Sequence, residues 1–173
     1  MNAAALLLPF LLVRFGLMAL LDRRALRRAA HFAPLRGGER AAYVVYQASN
    51  LCIFLGLAFC AVEIDRSLWF CAGLACYALG LCLCAAAVVA FARPDGEGMS
   101  ARGVYRLSRN PMYVSYFFCF AGMALLARSL PLLGAVLAFQ VSAHWIIRSE
   151  ERWCLEQFPE AYARYMRAVR RYL

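Results

Sequence analysis

From Leu68 to Ala92 the chain runs without one charged side chain. A helix over that stretch is long enough to cross the roughly 30 Å hydrocarbon core of a bilayer. Four more apolar segments accompany it, at about residues 3–21, 41–62, 111–127 and 130–147, the last two near the short limit for a span. In lipid the backbone donors and acceptors of such segments are satisfied within a helix. The expected fold is therefore an all-α polytopic membrane protein with five transmembrane helices, one domain over residues 1–173. Within it, residues 1–62 form an N-terminal helix pair and 68–173 a core. Composition agrees, at 64% hydrophobic against about half in soluble domains.

The polar connections carry a strong sign bias. Every one of the 19 basic residues is arginine. Six lie in the loop 22–40, four in the loop after Ala92 (Arg93, Arg102, Arg106 and Arg109), and six from Arg148 onward. The two remaining connections hold one each, Arg66 and Arg128. Sixteen against two, alternating as five spans require, places the N-terminus outside and the C-terminus in the cytosol. The compartment expected is a bacterial inner membrane. A net charge of +9 distributed in this way suits anionic lipid headgroups and gives no reason to invoke nucleic acid. The eight cysteines have no metal-ligand spacing and read as small buried apolar residues; no metal site is expected.

Some polar side chains fall inside the apolar segments. Arg14 interrupts the first; at that depth a cation faces protein or water, or snorkels, so it is a candidate contact for a substrate headgroup, with helix packing the competing explanation. Tyr43, Gln47 and Asn50 share one helical face, as do Gln140, His144, Ile147 and Glu151. Both stripes are expected to face the bundle interior, with His144 a second candidate for acceptor contact. After Pro159, Tyr162, Tyr165, Met166 and Val169 form an apolar stripe, with Arg164, Arg167, Arg170 and Arg171 mostly elsewhere on the helix. That pattern suits a short amphipathic helix on the membrane surface.

The polar stretch 96–113 is the most informative. Pro111 fits the first position of a helix, and Asn110 can cap it. The free N–H groups there suit an anionic group. The topology puts this stretch in the same cytosolic layer as Glu150-Glu151. Together they can take a small zwitterionic or cationic ligand, with Gly96 and Gly98 allowing close backbone approach.

Gly103-Val-Tyr-Arg-Leu-Ser-Arg-Asn-Pro-Met-Tyr113, the Glu150-Glu151 pair, Phe158-Pro-Glu-Ala-Tyr162 and Tyr165-Met-Arg-Ala-Val-Arg170 resemble the isoprenylcysteine carboxyl methyltransferase family and the related phospholipid N-methyltransferases. The resemblance covers about residues 93–173. It implies S-adenosyl-L-methionine in a cytosolic pocket at the ends of the last three helices. Carried over by position, the cofactor contacts fall on Glu97, Gly98, Met99, Ser100 and Tyr105. They continue through Asn110, Pro111, Met112 and Tyr113 to Glu150, with Glu151 beside it; no catalytic residue is assigned. The implied partner is a membrane lipid or prenylated small acceptor within the bilayer. Methylation of a carboxylate, which needs no general base, is favoured over an amine. The sequence departs from the family at Asn110, where histidine is usual, at Ser115, where glycine is common, and at Ile146, where an arginine approaches the acceptor. Two other readings are an NADPH-dependent membrane sterol or enone reductase, which shares a similar C-terminal signature, and a non-enzymatic membrane scaffold.

Overall fold

A computed structural model describes the chain except residues 30–32, 66 and 95–98 and the side chains of residues 27 and 28. Among the described residues the regular structure is all helix, apart from one antiparallel bridge between Asn2 and Ala61. Among the described residues seven helices follow in order, besides a 3-10 turn at Gly103–Arg106: α1 (Ala3–Leu21), α2 (Arg23–Ala29), α3 (Glu39–Ala58), α4 (Leu68–Ala92), α5 (Pro111–Leu126), α6 (Leu130–Gln157) and α7 (Pro159–Ala168). α1, α3, α4 and α6 are long and apolar enough to cross a membrane. α5, at 16 residues, is shorter, about 24 Å at 1.5 Å per residue. The chain is thus an all-α polytopic membrane protein with four long apolar helices and a fifth short one.

The helix boundaries have local causes. Ser67 starts α4 by accepting from the Phe70 N–H at 3.2 Å, and Ser129 starts α6 by accepting from the Leu132 N–H at 3.3 Å. Pro111 and Pro159 occupy the first turns of α5 and α7. α2 falls in the stretch that sequence reading treats as a loop. Asp22 nucleates it, its carboxylate accepting from the N–H groups of Arg24 and Ala25 at 2.8 and 3.1 Å. α6 runs unbroken from the apolar segment through Glu150 and Glu151, which fixes both carboxylates to a rigid element.

The core lies between two tightly associated pairs, α4 on α5 and α3 on α6, with α1 laid against α4. Small residues make the first pair possible. A Cβ added at Gly80 would come within 2.5 Å of the Cys119 backbone nitrogen, and one at Gly122 within 2.5 Å of that of Tyr77. Backbones this close exchange packing energy that lipid cannot supply. On α3 the inward face is Tyr46, Ser49, Ile53 and Leu57. That phase turns Gln47 outward, against the expectation that its stripe faces inward; it is exposed and pairs within its own helix, Nε2 donating to the Tyr43 hydroxyl at 3.3 Å. The cysteines also divide: Cys84 and Cys119 are buried, whereas Cys52, Cys71 and Cys82 lie on the outer surface.

Candidate functional site

At the arginine-rich end of the bundle, α1, α3, α5 and α6 enclose a cavity of about 600 Å3. That is within the range of small-molecule sites, about 300–1,000 Å3. The stretch before α5, the helix α7, Ala29 on α2, Ala33 and Phe91 on α4 also line it.

The α5–α6 wall holds the main polar pair. Tyr113, in the first turn of α5, donates its hydroxyl proton to Glu150 Oε1 at 2.7 Å. Among the described residues, Glu150 has no arginine within ion-pair distance; its carboxyl lines the cavity with the Tyr113 hydroxyl as its partner. Glu151 is differently placed. It is 4% exposed and receives Arg109 Nη2 at 3.1 Å, and Arg171 Nε and Nη2 at 3.0 and 2.8 Å. One residue along a helix rotates a side chain by about 100°. That rotation separates a carboxylate facing the cavity from one neutralised by two guanidinium groups.

Asn110 is part of the neutralised cluster. Its side chain makes no capping bond to α5, contrary to the expected cap. The amide instead donates to Glu151 Oε1 at 3.4 Å and to the Arg171 carbonyl at 3.1 Å. The long-range partners outcompete the local one because Glu151 and the C-terminal segment converge on this position. Ser108 Oγ and the Arg109 N–H donate to the carbonyls of Arg171 and Arg170 at 3.2 and 2.9 Å. Residues 169–173 therefore lie as a strap over the start of α5.

The remaining wall is aromatic. Tyr46, Tyr113 and Tyr116 line it in edge contact, with ring centroids 6.5 Å apart for Tyr46–Tyr113 and 6.1 Å for Tyr113–Tyr116. Such faces favour a cationic ligand. Tyr165, on α7, points inward and donates to the Tyr105 carbonyl at 2.6 Å; Tyr162 and Tyr165 are 5% and 9% exposed. The stripe assigned to the membrane surface is thus partly a protein contact. A tyrosine-bearing stripe reads alike in both settings; its two hydroxyls are the only sign of the difference. Burial pushes the Tyr105 and Tyr165 phenols well above their ordinary range, so both remain protonated donors.

Of the residues singled out in the sequence, Arg14, Met99, Ser100, Tyr105, Asn110, Met112, Tyr113, Glu150 and Glu151 line this one cavity. Pro111 is buried at the start of α5 but outside the lining. Glu97 and Gly98 lie outside the described residues. His144 is elsewhere, its Nδ1 2.8 Å from the Tyr172 hydroxyl. Sequence reading did not single out Tyr46, Tyr116, Trp153, Cys154 or Arg109 as lining residues. Helical spacing from Tyr113 points to Tyr116, and from Glu150 to Trp153 and Cys154.

The family follows from the comparison that spans most of the chain. Residues 51–161 match the model of the phospholipid methyltransferase family. The chain belongs to that family. No curated protein and no solved structure matches it. Membership makes the chain an integral membrane methyltransferase by family, and every element from the middle of α3 to the start of α7 falls within the matched residues.

Proposed function

We propose that the cavity binds S-adenosyl-L-methionine and that the protein transfers its methyl group to a lipophilic acceptor arriving from the bilayer. The observation that carries this reading is the Tyr113–Glu150 pair, a cavity-facing carboxyl on a rigid helix with no ion-pair contact among the described residues. The other residues fit the cofactor as well. Met99 and Ser100 form one wall, and the Tyr46–Tyr113–Tyr116 faces suit a positive charge. Arg109 Nε is a buried donor without a partner among the described residues, on the cavity side of the Glu151 cluster. When bound, S-adenosylmethionine supplies a methyl group already activated by the positive charge on its sulfur.

The protein's contribution is then positional. Glu150 is held by Tyr113, and Tyr113 has its place in the first helical turn, which positions both before a ligand arrives. A carboxylate acceptor takes a methyl group without releasing a proton, as in an isoprenylcysteine carboxyl methyltransferase. An amine acceptor releases one, as in a phospholipid N-methyltransferase, and the family match is compatible with either acceptor. We place the arginine-rich end, and with it the cavity, in the cytosol, in keeping with the charge bias of the loops.

Equilibrium binding of radiolabelled S-adenosylmethionine to the purified protein tests the site. Glu150→Ala and Tyr113→Ala are each expected to weaken binding about tenfold or more, as loss of a charge-assisted hydrogen bond does. Undiminished binding in both, or none in the parent, overturns the assignment. Incubation with labelled cofactor and a total lipid extract then identifies the species that gains the methyl group.

A further inference from the structure

α1 lies outside the residues matched by the family, yet it places a cation in the cavity. Arg14 is half-buried within a π-helical turn, Leu12–Leu17, of an otherwise regular helix. Such turns widen a helix by one residue and re-aim the side chains they carry. Among the described residues, the guanidinium's direct contacts are soft. Nη1 lies 3.5 Å from the Met18 sulfur, and the group sits over the Tyr116 and Phe15 rings at 5.5 and 5.2 Å. No carboxylate or carbonyl among the described residues receives it, although a guanidinium offers five N–H donors. The other arginine lining the cavity, Arg109, has its charge paired with Glu151, leaving only its Nε donor. The cavity thus has two ionisable groups without an ion-pair contact among the described residues, Glu150 on α6 and Arg14 on α1.

Depth separates the roles of the two groups. Arg14 is seven residues before the end of α1, about 10 Å below the arginine-rich end of the bundle. At that level an anion is more readily delivered on a lipid than from water. We propose that Arg14 is the anchor for the acceptor: it binds the anionic group, phosphate or carboxylate, of a lipid whose chain remains in the bilayer. This inference rests on the methyltransferase reading, with the cofactor at Glu150. It makes Arg14 a specificity-determining residue contributed by a helix outside the matched region.

The test uses the full chain in maltoside micelles, with three probes of one acyl chain: 1-oleoyl-lysophosphatidate, oleate and uncharged monoolein. Binding is read as thermal stabilisation, and S-adenosylhomocysteine binding is measured beside it by calorimetry. The parent is expected to be stabilised by at least one anionic probe and not by monoolein; whether phosphate or carboxylate is preferred gives the acceptor class. Arg14→Gln should weaken the anionic probe at least tenfold, Arg14→Lys less, and Arg148→Gln, an exposed charge on α6, not at all. S-adenosylhomocysteine should bind all four proteins equally. Equal probe affinity in parent and Arg14→Gln overturns the proposal, as does stabilisation by monoolein to the same extent. A loss of S-adenosylhomocysteine binding in Arg14→Gln and Arg14→Lys also overturns it, by giving Arg14 to the cofactor. A parent that binds no S-adenosylhomocysteine but retains Arg14-dependent anion binding sinks the cofactor reading and leaves the anion site standing.

Discussion

Glu150 and Glu151 show how one helical step divides two chemically identical side chains. Glu150 has a phenol and a cavity; Glu151 has two arginines and an asparagine. The difference predicts opposite phenotypes. Glu151→Ala leaves the Arg109 side chain, 8% exposed, without its counter-charge, a defect of about 3–5 kcal/mol for a buried pair. It should appear as a large fall in melting temperature, whereas Glu150→Ala should melt near the parent and lose ligand affinity instead. Asn110 belongs to the Glu151 side of this division. Asn110→Ala removes two hydrogen bonds to the tail cluster and should speed tryptic cleavage within 169–173 severalfold, and Asn110→His, which keeps one ring donor, should slow it again. The acidic pair and the start of α5 were legible as one polar layer because both flank apolar segments. The tail's use of Asn110 was not, since that bond joins positions 61 residues apart and no local pattern encodes it.

At the scale of the helices, the sequence was most legible where apolar runs meet proline or a hydroxyl cap. α4 runs Leu68–Ala92 as its composition dictates, and α5, α6 and α7 begin at or beside Pro111, Pro131 and Pro159. α2 was missed because four arginines in seven residues read as a solvated loop, although Asp22 supplies an ordinary helix start. The orientation of α3 was misread because its polar stripe is not its packed face. What decides that face is contact with α6 and α5, through Tyr46 stacked on Phe139 at 4.5 Å and in edge contact with Tyr113. Helix pairing likewise rests on small residues whose spacing gives no partner. The structure names it: Gly122 faces the backbone of Tyr77. Gly122→Val should therefore cost about 1–3 kcal/mol or more by overpacking, read as a lower melting temperature and aggregation on size exclusion. Gly134→Ala, with nothing within 4 Å of the added methyl, should be neutral or slightly stabilising.

Over the whole molecule, the two ends of the bundle are closed by different means. At one end Arg128, in the short α5–α6 connection, joins Asp65, while the Met1 and Val62 backbones pair at 2.7 and 3.0 Å. At the other, Arg152 forks onto both oxygens of Glu39 at 2.8 Å, tying α6 to the start of α3, and the tail strap covers α5. The second end carries the cavity and nearly all the arginines, so charge bias and site location make one statement about orientation. A fluorescent protein fused after Leu173 should fluoresce, and an alkaline phosphatase fused there should be inactive. Moving the phosphatase to the connection between α3 and α4 should restore its activity. The reverse pattern would place the cavity on the far side, away from a cytosolic pool of S-adenosylmethionine. It would sink the proposed reaction even with every side chain of the site unchanged.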